Sequence, residues 1–216
     1  MTQAQDYTPW GMQFAYEWSG TFAPAMVPTW VKNEWESVTT FGVVVSSVLV
    51  VYATSSGATR TIAQSVAQTL TSLEMNTTLA NVREAPPATG FDAVIVGSGI
   101  RVAHWHASAR HWLKANSSAI RAVPHALFSV GLSAADPTRQ DEAVGYLATL
   151  VAEHHLSPVS VAAFPGWYLP ERFSLMERGI LRIIHFPKGD FRDFAAVTDW
   201  TRSVAATLGQ PQPDRT

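Results

Sequence analysis

Between residues 42 and 209 the apolar positions alternate between two rhythms. Residues 48–52 form an unbroken apolar run, the pattern of a parallel strand covered on both faces. Ile62, Val66 and Leu70 then recur every fourth residue across 59–70, the stripe of an amphipathic helix. The same alternation continues along the chain. Residues 77–82 read as a partly polar edge strand, and 91–96 as an apolar strand stopping at Gly97-Ser98-Gly99. A helix is predicted over about 106–116 with Trp112 turned inward. A strand over 126–130 ends at Gly131, and Ala143, Leu147, Leu150 and Val151 then line a longer helix. A fifth strand at 159–163 runs into Phe164-Pro165-Gly166. Trp200, Val204 and Leu208 mark a last helix, with Thr198 as its expected cap. Strands separated by helices, without internal repeats, predict an α/β domain with a parallel sheet between two helical layers. Such sheets bind ligands beyond the C-terminal ends of their strands. Four of these strands end in small or hydroxyl residues that leave room there.

The ends of the chain do not share this rhythm. Residues 1–46 read as an arm: nine aromatics, among them Trp10, Trp18, Trp30 and Trp35, fall within 1–41 with little periodicity. Each such ring removes about 150–250 Å² from water when buried, so the arm is expected to pack on its own domain or on a partner. Residues 47–209 form the predicted domain, and 210–216 a polar tail. The N-terminus lacks the basic leader of a secretory signal. The stretch 37–59 carries no charge, which raises the question of a membrane span. Its β-branched run followed by a glycine turn suits a buried strand better.

Composition narrows the chemistry. The chain has no cysteine, which removes thiolate nucleophiles, disulfides, and zinc or iron–sulfur sites held by sulfur. Redox chemistry then requires an organic cofactor. A net charge of −2 with no Lys/Arg run gives no reason to expect nucleic acid. His104 and His106 lack a third ligand at suitable local spacing, so no metal is expected.

The most informative turn is Thr54-Ser55-Ser56-Gly57-Ala58-Thr59, between the first strand and the first helix. A helix start exposes amides without partners, and its dipole favours an anion. Gly57 lets the backbone fold around such a guest, while the Thr54, Ser56 and Thr59 hydroxyls can add donors. No lysine is present for a triphosphate loop, and too few glycines for a dinucleotide fingerprint. The expected guest is a phosphate held mainly by neutral donors; the plainer alternative is a hydroxyl-rich helix cap.

TSSGAT resembles the flavin mononucleotide (FMN) phosphate loop of the flavodoxin-fold family, Thr/Ser-x-Thr/Ser-Gly-x-Thr. VIVGSGIRVAHWHASARHWL at 94–113, HALFSVGL at 125–132, PGWYLPERFSLMERGILRII at 165–184 and TDW at 198–200 are similar to its quinone-dependent protoporphyrinogen IX dehydrogenase branch. The resemblance implies a flavodoxin-like three-layer sandwich with a five-stranded parallel sheet of order 2-1-3-4-5. It also implies FMN as cofactor, with its phosphate on residues 54–59 and its ring between 97–104 and 130–135. Ser98, Gly99, Ile100, Val130 and Gly131 would then approach the ring. Arg101 would meet substrate propionates or lie beside reduced flavin, and His104 or His106 would carry protons. The chain departs from the branch at Val102, where an aromatic is usual, which leaves Trp105 or Trp167 to cover the ring, or the ring more exposed. It departs again at Pro187-Lys188-Gly189-Asp190, where paired glycines are usual.

Around 171–184 a helix is expected with Phe173, Met176, Ile180 and Ile184 along one stripe and four charged residues opposite, Pro170 fitting its first turn. With Trp167 and Tyr168 before it, this segment suits a bilayer surface, a greasy substrate or the sheet itself. The reading that follows is an FMN-dependent oxidoreductase acting on a tetrapyrrole and reducing a quinone. It would sit peripherally on the cytoplasmic side of a membrane, touching the membrane or membrane-complex subunits through 1–41 and 167–184. The alternatives are a non-catalytic subunit docked through its arm and a flavodoxin-type electron carrier. A carrier ordinarily bears a stronger acidic charge than 17 acidic against 15 basic residues.

Overall fold

The computed structural model describes residues 47–84, 87–101, 104–183 and 186–208. The expected aromatic arm, the polar tail and Val102 lie outside these residues, as do Ile184 and the side chain of Ile180. A five-stranded parallel sheet organises the domain: β1 (Ser47–Ala53), β2 (Asn76–Asn81), β3 (Ala93–Arg101), β5 (His125–Gly131) and β6 (Ser160–Pro165). Their order is β2-β1-β3-β5-β6, the expected 2-1-3-4-5 once the short β4 (His104–Trp105) is set aside as a hairpin partner of β3. The run 48–52 is therefore central strand. No helix among the described residues is long and apolar enough to cross a membrane.

Strand alternation sends β1 into two cores. Val48, Val50 and Tyr52 face a cluster with Ile62, Val66 and Leu70 of α1 (Ala58–Ser72) and Val197, Val204 and Leu208 of α5 (Phe194–Leu208). Leu49, Val51 and Ala53 face the other side, against Trp112 and Leu113 of α2 (Ala107–Ala122) and Leu147 and Leu150 of α3 (Gln140–His154). With both faces covered, strands rich in Val, Ile and Leu are the stable choice. The first cluster is reinforced by a ring triad of Phe128, Phe164 and Trp200, whose centroids lie 5.5–6.0 Å apart.

Several boundaries differ from the sequence expectation, each for a local reason. β3 does not stop at the glycines but runs through them to Arg101 and turns back into β4. Gly97 is required inside the strand because a Cβ there would stand 2.0 Å from the Phe128 ring. Helix α2 continues well past 116: Asn116 interrupts the apolar stripe, yet its Oδ1 accepts from the Ala88 amide at 3.0 Å, and Ile120 is buried beyond it. Thr198 does not cap α5. Asp193 accepts from the Ala196 amide at 3.0 Å and does so instead, while the Thr198 hydroxyl bonds back to Phe194 O inside the helix. Pro170 opens a separate 3₁₀ turn (Pro170–Arg172), and α4 spans only Leu175–Ile183.

Candidate functional site

Parallel register brings the C-terminal ends of the strands to one edge: Ala53 pairs with Ser98, Gly99 with Val130, and Gly131 with Pro165. A cavity of about 320 Å³ opens there, within the size range of small-molecule sites. Its floor is the β1–α1 turn. Gly57 adopts a left-handed conformation, φ 98°, as the N-cap of α1, and its amide donates to Thr54 Oγ1 at 2.9 Å. A β-carbon there would be strained by that φ alone. No acidic residue lies in the first turn of α1 and no side chain caps it, so the amides that begin the helix keep their affinity for an anion.

The predicted site residues divide plainly. Thr54, Ser55, Ser56, Ala58 and Thr59 line the cavity from the turn, and Gly99, Ile100, Arg101, Val130 and Gly131 line it from the ends of β3 and β5. Gly57, Ser98 and His104 are not on the wall. Gly57 faces the Trp167 ring instead. Ser98 is fully buried, its hydroxyl donating to Gly99 O at 3.1 Å and accepting from the His106 amide at 3.0 Å, so it shapes the hairpin from beneath. His104 is exposed and pairs across the hairpin with Arg101. His106 serves as the N-cap of α2, its Nδ1 accepting from the Ser108 amide. Burial, then the charges of Arg83 and Arg101, hold its pKa below the ordinary histidine value. Of the two tryptophans considered as ring covers, Trp167 lines the cavity, whereas Trp105 is buried in the core beneath α2 and α3.

Two groups of wall residues lie outside the site residues read from the sequence, although three of the second group fall in the 171–184 segment expected to meet a bilayer, a greasy substrate or the sheet. One is Arg139, at the N-cap of α3, and Tyr146, on its second turn. Arg139 grips Glu142 through Nε and Nη2 at 2.7 and 2.8 Å, and the Tyr146 hydroxyl donates to the same carboxylate. Together they lower the Glu142 pKa to about 2, while the shared bond raises that of Tyr146. The i, i+3 and i+4 spacing of 139, 142 and 146 was visible in the chain and marks this cluster. The other group, Arg172, Phe173, Leu181 and Phe186, comes from the long crossover after β6. No local motif points such a segment at the β1–α1 turn. On α4 itself, Leu175, Met176 and Ile183 are 70–83% exposed, while Leu181 turns to the cavity. Their 100° spacing puts the three exposed residues on one outward face, so of the surfaces expected for this helix Met176 meets solvent rather than the sheet.

Known proteins show the same architecture. A profile of the Flavodoxin domain matches residues 49–194. Protoporphyrinogen IX dehydrogenase [quinone] of Escherichia coli strain K12 is 28% identical over 158 residues, covering 70% of this chain and 87% of that protein. The protein of the same name from Leishmania major is 26% identical, covering 70% and 69%. Among solved structures, oxidised flavodoxin 1 from Bacillus cereus superposes with a TM-score of 0.52 at 15% identity, over 76% of this chain and 99% of that one. With the profile running from β1 to the first residue of α5, and the sheet order and strand-end cavity agreeing with it, the chain belongs to the Flavodoxin domain family.

Proposed function

We propose that the cavity at the strand ends binds FMN and that the chain is an FMN-dependent oxidoreductase, oxidising a tetrapyrrole and passing the electrons to a quinone. The observation that carries this reading is the β1–α1 turn: an uncapped helix start free of acidic residues, folded around a left-handed Gly57 and opening on the cavity. The donor set fits a phosphate ester: hydroxyls of Thr54, Ser55, Ser56 and Thr59 with the first amides of α1. When bound, the flavin supplies the electron transfer that no side chain of a cysteine-free chain performs. The chain's own residues do the rest. Backbone at Gly99–Ile100 and Val130–Gly131 bounds the ring, and the apolar wall excludes water. Arg101 presents positive charge to an anionic substituent, and His104, its cross-strand neighbour at the surface, exchanges protons with solvent. The outward apolar face of α4, flanked by Arg172 and Arg182, is the surface we assign to a membrane, where quinones reside.

Titration of the purified protein with FMN, followed by quenching of flavin fluorescence, tests the reading. One FMN per chain is expected, with at least about tenfold weaker binding by a Gly57→Val variant, because the added side chain strains the turn and collides with its wall. A folded wild-type protein that ignores FMN, or a folded variant with unchanged affinity, overturns it.

A further inference from the structure

The formal charges on the cavity wall are all of one sign. Arg101, Arg139 and Arg172 line it, each brought by a different connection: the β3–β4 hairpin, the turn between β5 and α3, and the crossover after β6. No aspartate or glutamate stands among the described wall residues, although the whole chain carries 17 acidic against 15 basic residues. Away from the β1–α1 turn the wall is largely apolar, with Ile100, Val130, Leu132, Phe173, Leu181 and Phe186. An apolar cavity edged by guanidinium groups matches a ligand with a hydrophobic body and acidic substituents.

Arg139 is held by a bracket of side chains. Its Nε and Nη2 donate to the Glu142 carboxylate at 2.7 and 2.8 Å, a side-on grip that suits the planar fork of a guanidinium. The Tyr146 hydroxyl, one turn further along α3, donates to the same carboxylate, and Tyr146 is itself on the wall. The grip occupies one edge of the guanidinium. On the other, Nη1 makes no hydrogen bond among the described residues. The two carboxylates that offset this arginine, Glu142 and Asp136, do not line the cavity, so the cation is what the wall presents.

The arginine also enters from a different side than the β1–α1 turn. β3 lies between β1 and β5, and neighbouring strands run about 4.8 Å apart, so two such steps separate the turn's strand from the one leading to Arg139. The turn already has its own hydroxyl and amide donors.

We propose that Arg139 is a specificity-determining residue of this site. It receives a carboxylate of the substrate, beside the charge offered by Arg101, and so selects a ring ligand bearing free acid groups over the same ring without them. The inference rests on the tetrapyrrole reading above and deepens it, through a residue that lies in none of the stretches resembling the family.

Binding to the full chain tests it. Protoporphyrin IX, a tetrapyrrole with propionate groups, and its dimethyl ester are titrated in the same detergent and excess FMN, and porphyrin fluorescence is followed. Wild-type, Arg139→Gln and Arg139→Lys proteins are compared, with near-UV circular dichroism to establish folding. A charge-assisted hydrogen bond at a half-exposed arginine corresponds to about tenfold in affinity. Wild-type protein should prefer the acid to the ester by at least that factor. Arg139→Gln should lose about tenfold for the acid while the ester changes less than about twofold. Arg139→Lys, which keeps the charge but not the fork, should fall between the two proteins. Equal loss for both ligands, or loss for neither, overturns the inference. So does a wild-type protein that binds acid and ester alike, a result that needs no variant to fold and leaves the tetrapyrrole reading standing. A wild-type protein that binds neither porphyrin overturns both. In a second arm, FMN and riboflavin, which lacks the phosphate, are titrated into the same proteins. Arg139→Gln should leave both affinities within about twofold of wild type. Selective loss of FMN would put Arg139 on the phosphate and overturn the inference with FMN binding upheld. An acid preference that Arg139→Gln abolishes, in a chain that ignores FMN, sustains the inference while the cofactor reading fails.

Discussion

Trp105 and Trp167 are an instructive pair. Both are almost fully buried, at 3% and 9% exposure, and the indole N–H of each lacks an acceptor among the described residues. By sequence either can cover a flavin. They lie on opposite faces of the sheet. Trp105 follows the β3–β4 hairpin into the cluster of Val94, Val96, Trp112 and Leu113. Trp167 lies on the α1–α5 side, against Gly57 and beneath Arg192. Residue type and burial are alike, so neither separates packing from binding. What separates them is position: the Trp167 ring borders the cavity, its benzo edge beside Gly57, whereas Trp105 lies wholly within the core.

The largest test of this contrast removes the Trp105 ring. Trp105→Ala should destabilise the protein by about 3–5 kcal/mol in chemical denaturation, the usual cost of deleting a large buried aromatic. Flavin affinity per folded molecule should stay the same. A folded Trp105→Ala variant that lost FMN selectively would dissolve the distinction between the two indoles. A smaller effect is expected at Trp200, whose Nε1 donates to Ser160 Oγ at 2.9 Å on the Trp167 side of the sheet. Trp200→Phe keeps most of the ring packing and loses that bond, so a stability change of about 1 kcal/mol is expected, again with FMN unaffected.

The smallest effect concerns pH, at the hairpin end of the Trp105 side. The pKa of His106 is depressed in the folded chain by burial and then by Arg83 and Arg101. An unfolded histidine takes up its proton near pH 6.5, whereas the folded one resists it. The unfolded state therefore binds more protons in this window, and stability falls as pH drops from about 6.5 towards the lowered folded value. His106→Asn, which retains an N-cap acceptor, should flatten that part of the melting-temperature profile between pH 7 and 5. A slope equally steep in the variant would assign it to other groups; the Glu142 carboxylate, lowered to about 2 in the folded chain, loses its contribution only below about pH 5, where the unfolded form begins to take up a proton.

Legibility differed sharply between local and distant features. The turn 54–59 was readable because its signal is local: a glycine where φ must be positive, hydroxyls around it, an apolar strand before and a helix stripe after. The lining stretches Gly99–Arg101 and Val130–Gly131 were found because parallel strands end at one edge. Ser98 was grouped with them, yet it lies fully buried and bonds within the hairpin, since β3 continued where two glycines suggested a stop. Side-chain packing against Phe128, which no single segment contains, decided that.

By itself, then, the sequence determined the α/β alternation, the five core strands, the glycine turn between the first strand and its helix, and the absence of thiol chemistry, all of which rest on periodicity, backbone sterics or residue identity. Only the tertiary structure decided which tryptophan faces the cavity, that Arg192 reaches Thr61, and that Leu175, Met176 and Ile183 turn outward. These depend on how the crossover after β6 folds back over the sheet edge. Contacts between residues so far apart in the chain leave no repeating pattern along it; they form only when the strands have aligned and brought that edge into being.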